Sequence, residues 1–144
     1  MDVAAVVQAL QAAFPDCDVA ARAVSIDDTF VTLPVGALRT AIELLHERFD
    51  LYHLSTITGI DTGEAVEILY HFWDRRGLTL RIVLPYDALH VASVTDLIPG
   101  AAFYEREIIE MLDVMVEGHP DPRPMLLPDD WDEGAPLRKQ TEAV

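Results

Sequence analysis

The chain has 144 residues, enough for one domain, and with 51% hydrophobic against 24% charged residues it can bury a sizeable core, which excludes a wholly disordered polymer. Its 25 acidic and 10 basic side chains leave a formal charge of -15, so phosphate backbones and anionic lipid headgroups are repelled and nucleic acid is a poor partner. The single cysteine, Cys17, excludes an internal disulfide, a four-cysteine zinc site and a self-contained iron–sulfur cluster. The Met-Asp start carries no basic segment leading into an apolar run, and no stretch of about 18 residues lacks a charged or polar break, so a soluble protein facing the cytoplasm is expected.

Along the chain, Val6, Val7, Leu10 and Phe14 recur at helical spacing from Val3 until Pro15 closes the segment. Residues 19–33 shift towards period two, with a β-branched run from Thr29 to Leu33 and a turn at Asp27-Asp28, which predicts a hairpin. Pro34 opens a second helix carrying Leu38, Ile42, Leu45 and Phe49, ending near Asp50. A strand is expected over Leu51–Thr58, with a turn at Gly59-Ile60-Asp61. Val66, Ile68, Tyr70 and Phe72 then alternate with Glu67, Leu69, His71 and Trp73, and Leu78, Leu80, Ile82 and Leu84 alternate across the Asp74–Gly77 turn, predicting an antiparallel pair. A helical turn over Val91–Leu97, a break at Pro99-Gly100 and a last helix from Ala101 to about Val114 complete the pattern. The fold class is α+β in two layers, with helices packed on one face of a mixed, largely antiparallel sheet.

After Gly118 the composition changes, because Pro120, Pro122, Pro124, Pro128 and Pro136 are five of the nine prolines. Proline donates to no ladder, so an extended ribbon is expected. Met125, Leu126, Leu127, Trp131 and Leu137 make that ribbon apolar, and it either folds back over its own sheet or lies against another protein. The expected division is a single α+β domain over 1–118 and a docking segment over 119–144.

Chemistry of its own is not expected. His46, His53, His71, His90 and His119 lack metal-ligand spacing, and the serines lack a nucleophile elbow. Cys17 lies between Asp16 and Asp18, where a thiolate is disfavoured, and the 7 glycines form no phosphate cradle. In Glu105-Arg106-Glu107 and Glu110, the plain interpretation is a solvated helix start with a pair between Arg106 and Glu110 four residues on. That interpretation does not explain why so charged a helix runs into Gly118-His119-Pro120-Asp121-Pro122-Arg123 and an apolar ribbon.

The run Glu105-Arg106-Glu107-Ile108-Ile109-Glu110-Met111-Leu112, six residues, His119, then Arg123-Pro124-Met125-Leu126 resembles the signature of the thirty-kilodalton subunit family of respiratory NADH:quinone oxidoreductase (complex I), shared by subunits of energy-converting membrane-bound hydrogenases. The likeness continues through Leu127-Pro128-Asp129-Asp130-Trp131 and Pro136-Leu137-Arg138-Lys139, and weakly upstream over Leu54–Asp61. It implies a non-redox member of the hydrophilic arm, peripheral on the cytoplasmic side of the membrane, docked on a hydrogenase-like large subunit and an iron–sulfur small subunit. It also implies that iron–sulfur clusters, and nickel–iron in hydrogenase relatives, sit in those partners and no cofactor sits in this chain. The residues implied at the partner interface are Glu105, Arg106, Glu107, Glu110, His119, Arg123, Leu126, Leu127 and Trp131, with the two arginines facing partner carboxylates. The alternative from the residues alone is a free-standing acidic binding module, a homodimer using its apolar ribbon reciprocally.

Overall fold

The alternation over residues 65–85 produces the centre of the fold. In the computed structural model, which describes residues 1–139, Ala65–Trp73 (β4) and Gly77–Pro85 (β5) form an antiparallel hairpin whose turn holds Arg75 at φ 62°. Val66, Ile68, Tyr70 and Phe72 face the core beside Leu84, Ile82, Leu80 and Leu78, their cross-strand partners. The element order is Val3–Ala13 (α1), Ala20–Ala23 (β1), Asp28–Leu33 (β2), Leu38–Phe49 (α2), Leu54–Asp61 (β3), β4, β5, His90–Ala92 (β6), Ala101–Leu112 (α3) and Met115–Glu117 (β7). Five strands form one sheet in the order β1-β2-β5-β4-β3, with β2 parallel to β5 and every other pair antiparallel. The parallel pair requires the chain to cross over after β2, and α2 makes up part of that crossover.

Each helix is amphipathic, and its buried stripe joins the same core. Val6, Ala9 and Leu10 of α1, Leu38, Ala41, Ile42 and Leu45 of α2, and Ala101, Ile108 and Leu112 of α3 are all buried. Asp2 caps α1 by accepting from the Ala5 N–H at 3.2 Å, and α2 and α3 end on Asp50 and Asp113 in the left-handed region, which short polar side chains tolerate. The opposite sheet face, with Phe30, Thr32, Glu67, His71 and Arg81, is only half-covered, and Ile60, Trp73 and Val83 on it are exposed.

Helix α3 approaches β3 closely at Gly59. A Cβ there would stand 2.6 Å from Ile108 Cδ1 and closer still to Leu112 Cδ1, both on buried side chains with nowhere to retreat. Gly59→Ala is therefore expected to destabilise the chain by roughly 1–3 kcal/mol. A urea melt showing no loss would mean that α3 can slide away freely.

Five local expectations are corrected. Gly59-Ile60-Asp61 continues β3 and is no turn; the reversal falls at Thr62-Gly63-Glu64, where Thr62 accepts from Glu64 and Ala65 and Gly63 takes φ 90°. The turn before β2 lies ahead of Asp28, where the Ser25 hydroxyl accepts from Asp27 and Asp28. Part of the expected helical turn over Val91–Leu97 is strand β6, which pairs in parallel with β7, and α3 stops at Leu112 because Met115–Glu117 supplies that pairing. The segment after Gly118 contains no strand among its described residues and instead bends and turns back along α3. Proline forbids ladder bonds but allows bends, and a bend over Met125–Leu127 brings successive N–H groups to one acceptor. Residues 140–144, the end of the expected docking segment, lie outside the described residues.

Candidate functional site

Three polar anchors tie the proline-rich segment to the domain. At the first, His119 Nε2 lies 2.9 Å from the Ala102 carbonyl, while Nδ1 accepts from the Asp121 N–H at 3.0 Å. That pair of partners fits a neutral ring with its proton on Nε2. At the second, Glu110 accepts from three successive backbone N–H groups, those of Met125 (3.2 Å), Leu126 (2.8 Å) and Leu127 (2.5 Å). Desolvation works against the Glu110 charge, but these bonds outweigh it and hold the carboxyl below its ordinary range. Arg106, one turn earlier, donates to the carbonyls of Arg123 and Pro124. Both side chains that the spacing allows to pair with each other are thus committed to the segment's backbone.

The third anchor joins residues far apart in sequence. Asp61 at the end of β3 accepts at Oδ1 from the Tyr86 hydroxyl (2.5 Å) and the Gly63 N–H (3.0 Å), and at Oδ2 from Arg138 Nε (3.0 Å) and the Lys139 N–H (2.8 Å). Its side chain is fully buried, and the Arg138 guanidinium also lies over the Tyr86 ring, 5.0 Å from its centre. Burial favours the neutral acid, yet the four donors prevail and hold the carboxyl well below the usual range. The same Tyr86 bond pushes that phenol up.

Glu105 points the other way, into the protein. The spacing of Ala101, Glu105, Ile108 and Leu112 places it on the buried stripe of α3, beyond the helix's first turn, so it is no solvated start. Its oxygens accept from Ser93 Oγ (2.7 Å) and the Val94 N–H (3.0 Å). Burial pushes this carboxyl up, a rise that those two bonds only partly offset. Arg39 of α2 clasps the same loop, donating to the Ser93 carbonyl (2.7 Å) and making a two-bond pair with Asp96 (2.7 and 2.6 Å). The loop between β6 and α3 is thus held from two helices.

Of the remaining residues expected at an interface, Glu107 is exposed, and Arg123 is exposed but makes a two-bond pair with Asp121 (2.7 and 2.8 Å). Leu127 is half-buried, while Leu126 and Leu137 are each 54% exposed and Trp131 is 38% exposed with its indole N–H on the Gly134 carbonyl. Thus Arg106, Glu110, His119 and Arg123 gather at the α3 surface of the segment, while Glu105 belongs to a separate internal network. Sequence reasoning missed Asp61, Tyr86 and Arg39. One signal for Asp61 was present: it shares strand parity with Ile57 and Gly59, so an acid occupies an inward-facing position. Among the described residues no group of three or more His, Cys, Asp or Glu side chains is arranged to hold a metal ion, and no described helix is long and apolar enough to cross a membrane.

The family model described as the 30 kDa subunit of respiratory-chain NADH dehydrogenase matches residues 31–144. The C subunit of NADH-quinone oxidoreductase from Moorella thermoacetica is 33% identical over 138 residues, which cover 92% of this chain and 90% of that protein. Among solved structures, a trypsin-resistant fragment (1–134) of Nqo5 superposes with a TM-score of 0.67 at 23% identity, covering 84% of this chain and 99% of the fragment. A chain of the membrane-bound sulfane sulfur reductase, an archaeal respiratory membrane complex, superposes with a TM-score of 0.72 at 19% identity, covering 94% of this chain and 81% of its own length. The two structures establish the α+β fold. The family match spans β3, α3 and the anchored segment, so the chain belongs to the family of the 30 kDa subunit of respiratory-chain NADH dehydrogenase.

Proposed function

We propose that this chain is a non-redox structural subunit in the hydrophilic arm of a complex I-like oxidoreductase, peripheral on the cytoplasmic side of the membrane. It docks on a hydrogenase-like large subunit and on a small subunit that holds an iron–sulfur cluster, and electron transfer belongs to those partners. The observation that carries this reading is the division of labour in residues 119–139. Their backbone is bonded inward to Glu110, Arg106 and Asp61, whereas Leu126, Trp131 and Leu137 remain exposed on the outside. A segment fixed in advance loses little conformational entropy on docking, and aromatic and aliphatic anchors held at its surface can enter pockets on a partner.

Tagged chain recovered from detergent-solubilised membranes should bring down hydrogenase-like and iron–sulfur subunits at matching stoichiometry; recovery alone overturns the reading. The buried apolar core ends at Val116. Truncation after Gly118 is therefore expected to leave a folded domain, melting roughly 5–10 °C lower through loss of the anchors, that no longer joins the complex. A truncated chain without cooperative melting would show instead that the segment is needed to complete the fold.

A further inference from the structure

Between α3 and the returning segment lies a cleft of about 460 Å³. It is lined by the apolar side chains of Ile109, Leu127, Pro128 and Trp131 together with Asp113, Asp129 and Asp132. Glu110 also lines it but is taken up by three backbone N–H groups. No basic side chain lines the cleft, and none of those three aspartates forms an ion pair among the described residues. Arg106 and Arg123 share a separate depression with Asp129, but they are bonded to carbonyls and to Asp121. A cleft lined by apolar side chains and by aspartates that form no ion pair among the described residues, in a chain of net charge -15, is complementary to an apolar group flanked by cations.

We propose that this cleft receives a segment of a partner subunit in which an apolar side chain is flanked by arginine or lysine, the apolar group packing on Trp131 and the cations meeting Asp129 and Asp132. This rests on the subunit reading above and adds the chemistry of the partner. A partner segment bearing acids is repelled from the same place, so the aspartates act in selection as well as in attraction. Because both aspartates are exposed, their replacement is expected to leave the fold intact.

The test compares the full-length wild type, D129N/D132N and D129K/D132K, each tagged and recovered from solubilised membranes at about 150 mM salt, an ionic strength that screens exposed pairs only beyond about 8 Å. Thermal melting of each purified chain serves as the folding control. The expected result is unchanged melting, with partner recovery reduced about tenfold or more by the lysine variant and to an intermediate degree by the asparagine variant. A second measurement uses W73F chain, leaving Trp131 as the fluorophore, with the synthetic peptide Ac-Arg-Leu-Arg-Leu-Arg-amide and its glutamate counterpart. Only the basic peptide should shift the emission, and D129K/D132K should weaken that response at least tenfold. Equal recovery of wild type and D129K/D132K with partners, or equal response to both peptides, overturns the inference and leaves the subunit reading standing. Wild type recovered without partners overturns the subunit reading itself.

Discussion

Asp61→Ala is expected to cost about 3 kcal/mol of folding stability and to loosen the end of the C-terminal segment. The substitution removes the shared acceptor of Tyr86, Gly63, Arg138 and Lys139 in one step. Water reaches the half-exposed Tyr86 and Arg138 once the carboxylate is gone, so the loss falls well below the sum of four bonds. Asparagine should rescue only in part, because its amide nitrogen would face one of the two donor pairs. The pH dependence gives an independent reading. The native carboxyl is held below its ordinary value, so the unfolded chain takes up its proton first as pH falls. Its contribution is complete above the ordinary aspartate value near pH ~4 and is lost progressively below it. The stability difference between wild type and Asp61→Ala, followed by urea denaturation from pH 6 down to about 3, should shrink over that acid range. A constant gap would show that the carboxylate charge contributes nothing.

Glu105 should behave in the opposite sense. Glu105→Ala removes the acceptor of Ser93 and Val94 in the interior and is expected to cost roughly 3 kcal/mol. Glutamine, however, can replace the acid almost fully. Its oxygen accepts from Val94, and its amide donates to Ser93 Oγ, whose own proton turns to Thr95 Oγ1 at 2.9 Å. The native carboxyl is raised by burial, so the folded state keeps its proton longer than the unfolded chain does. Stability associated with this group is complete below the ordinary glutamate value near pH ~4.3 and declines as pH rises through the raised native value. Glu105→Gln should thus match wild type in mild acid and gain on it as pH rises. Destabilisation equal to that of alanine would mean that the charged carboxylate is required there.

These two acids also show what sequence could disclose. The 101, 105, 108, 112 spacing already put Glu105 on the core stripe, but its neighbours Arg106 and Glu107 suggested a dipole-favoured helix start. Actual helix geometry decided the matter, since the first turn ends before Glu105. The β4–β5 hairpin was legible because alternation over two nine-residue strands specifies both the buried face and the turn. Strands β6 and β7, three residues each, carry too few positions for any period to show, and their pairing joins residues across α3. The family likeness was legible through α3 and the segment that follows, where charged residues and prolines occur at fixed intervals.

By itself the sequence determined the fold class, the identity of the core stripes, the absence of an internal cysteine cross-link and the family to which the chain belongs. Only the tertiary structure decided the course of the proline-rich segment. Composition left two courses open, folding back or lying on a partner; the chain bonds the segment's backbone inward, yet leaves Leu126, Trp131 and Leu137 exposed. The reason is the range of the interactions. Hydrophobic periodicity is written in neighbouring residues, whereas the bond from Arg138 to Asp61 spans 77 positions and exists only because β3 and the returning segment end at the same place.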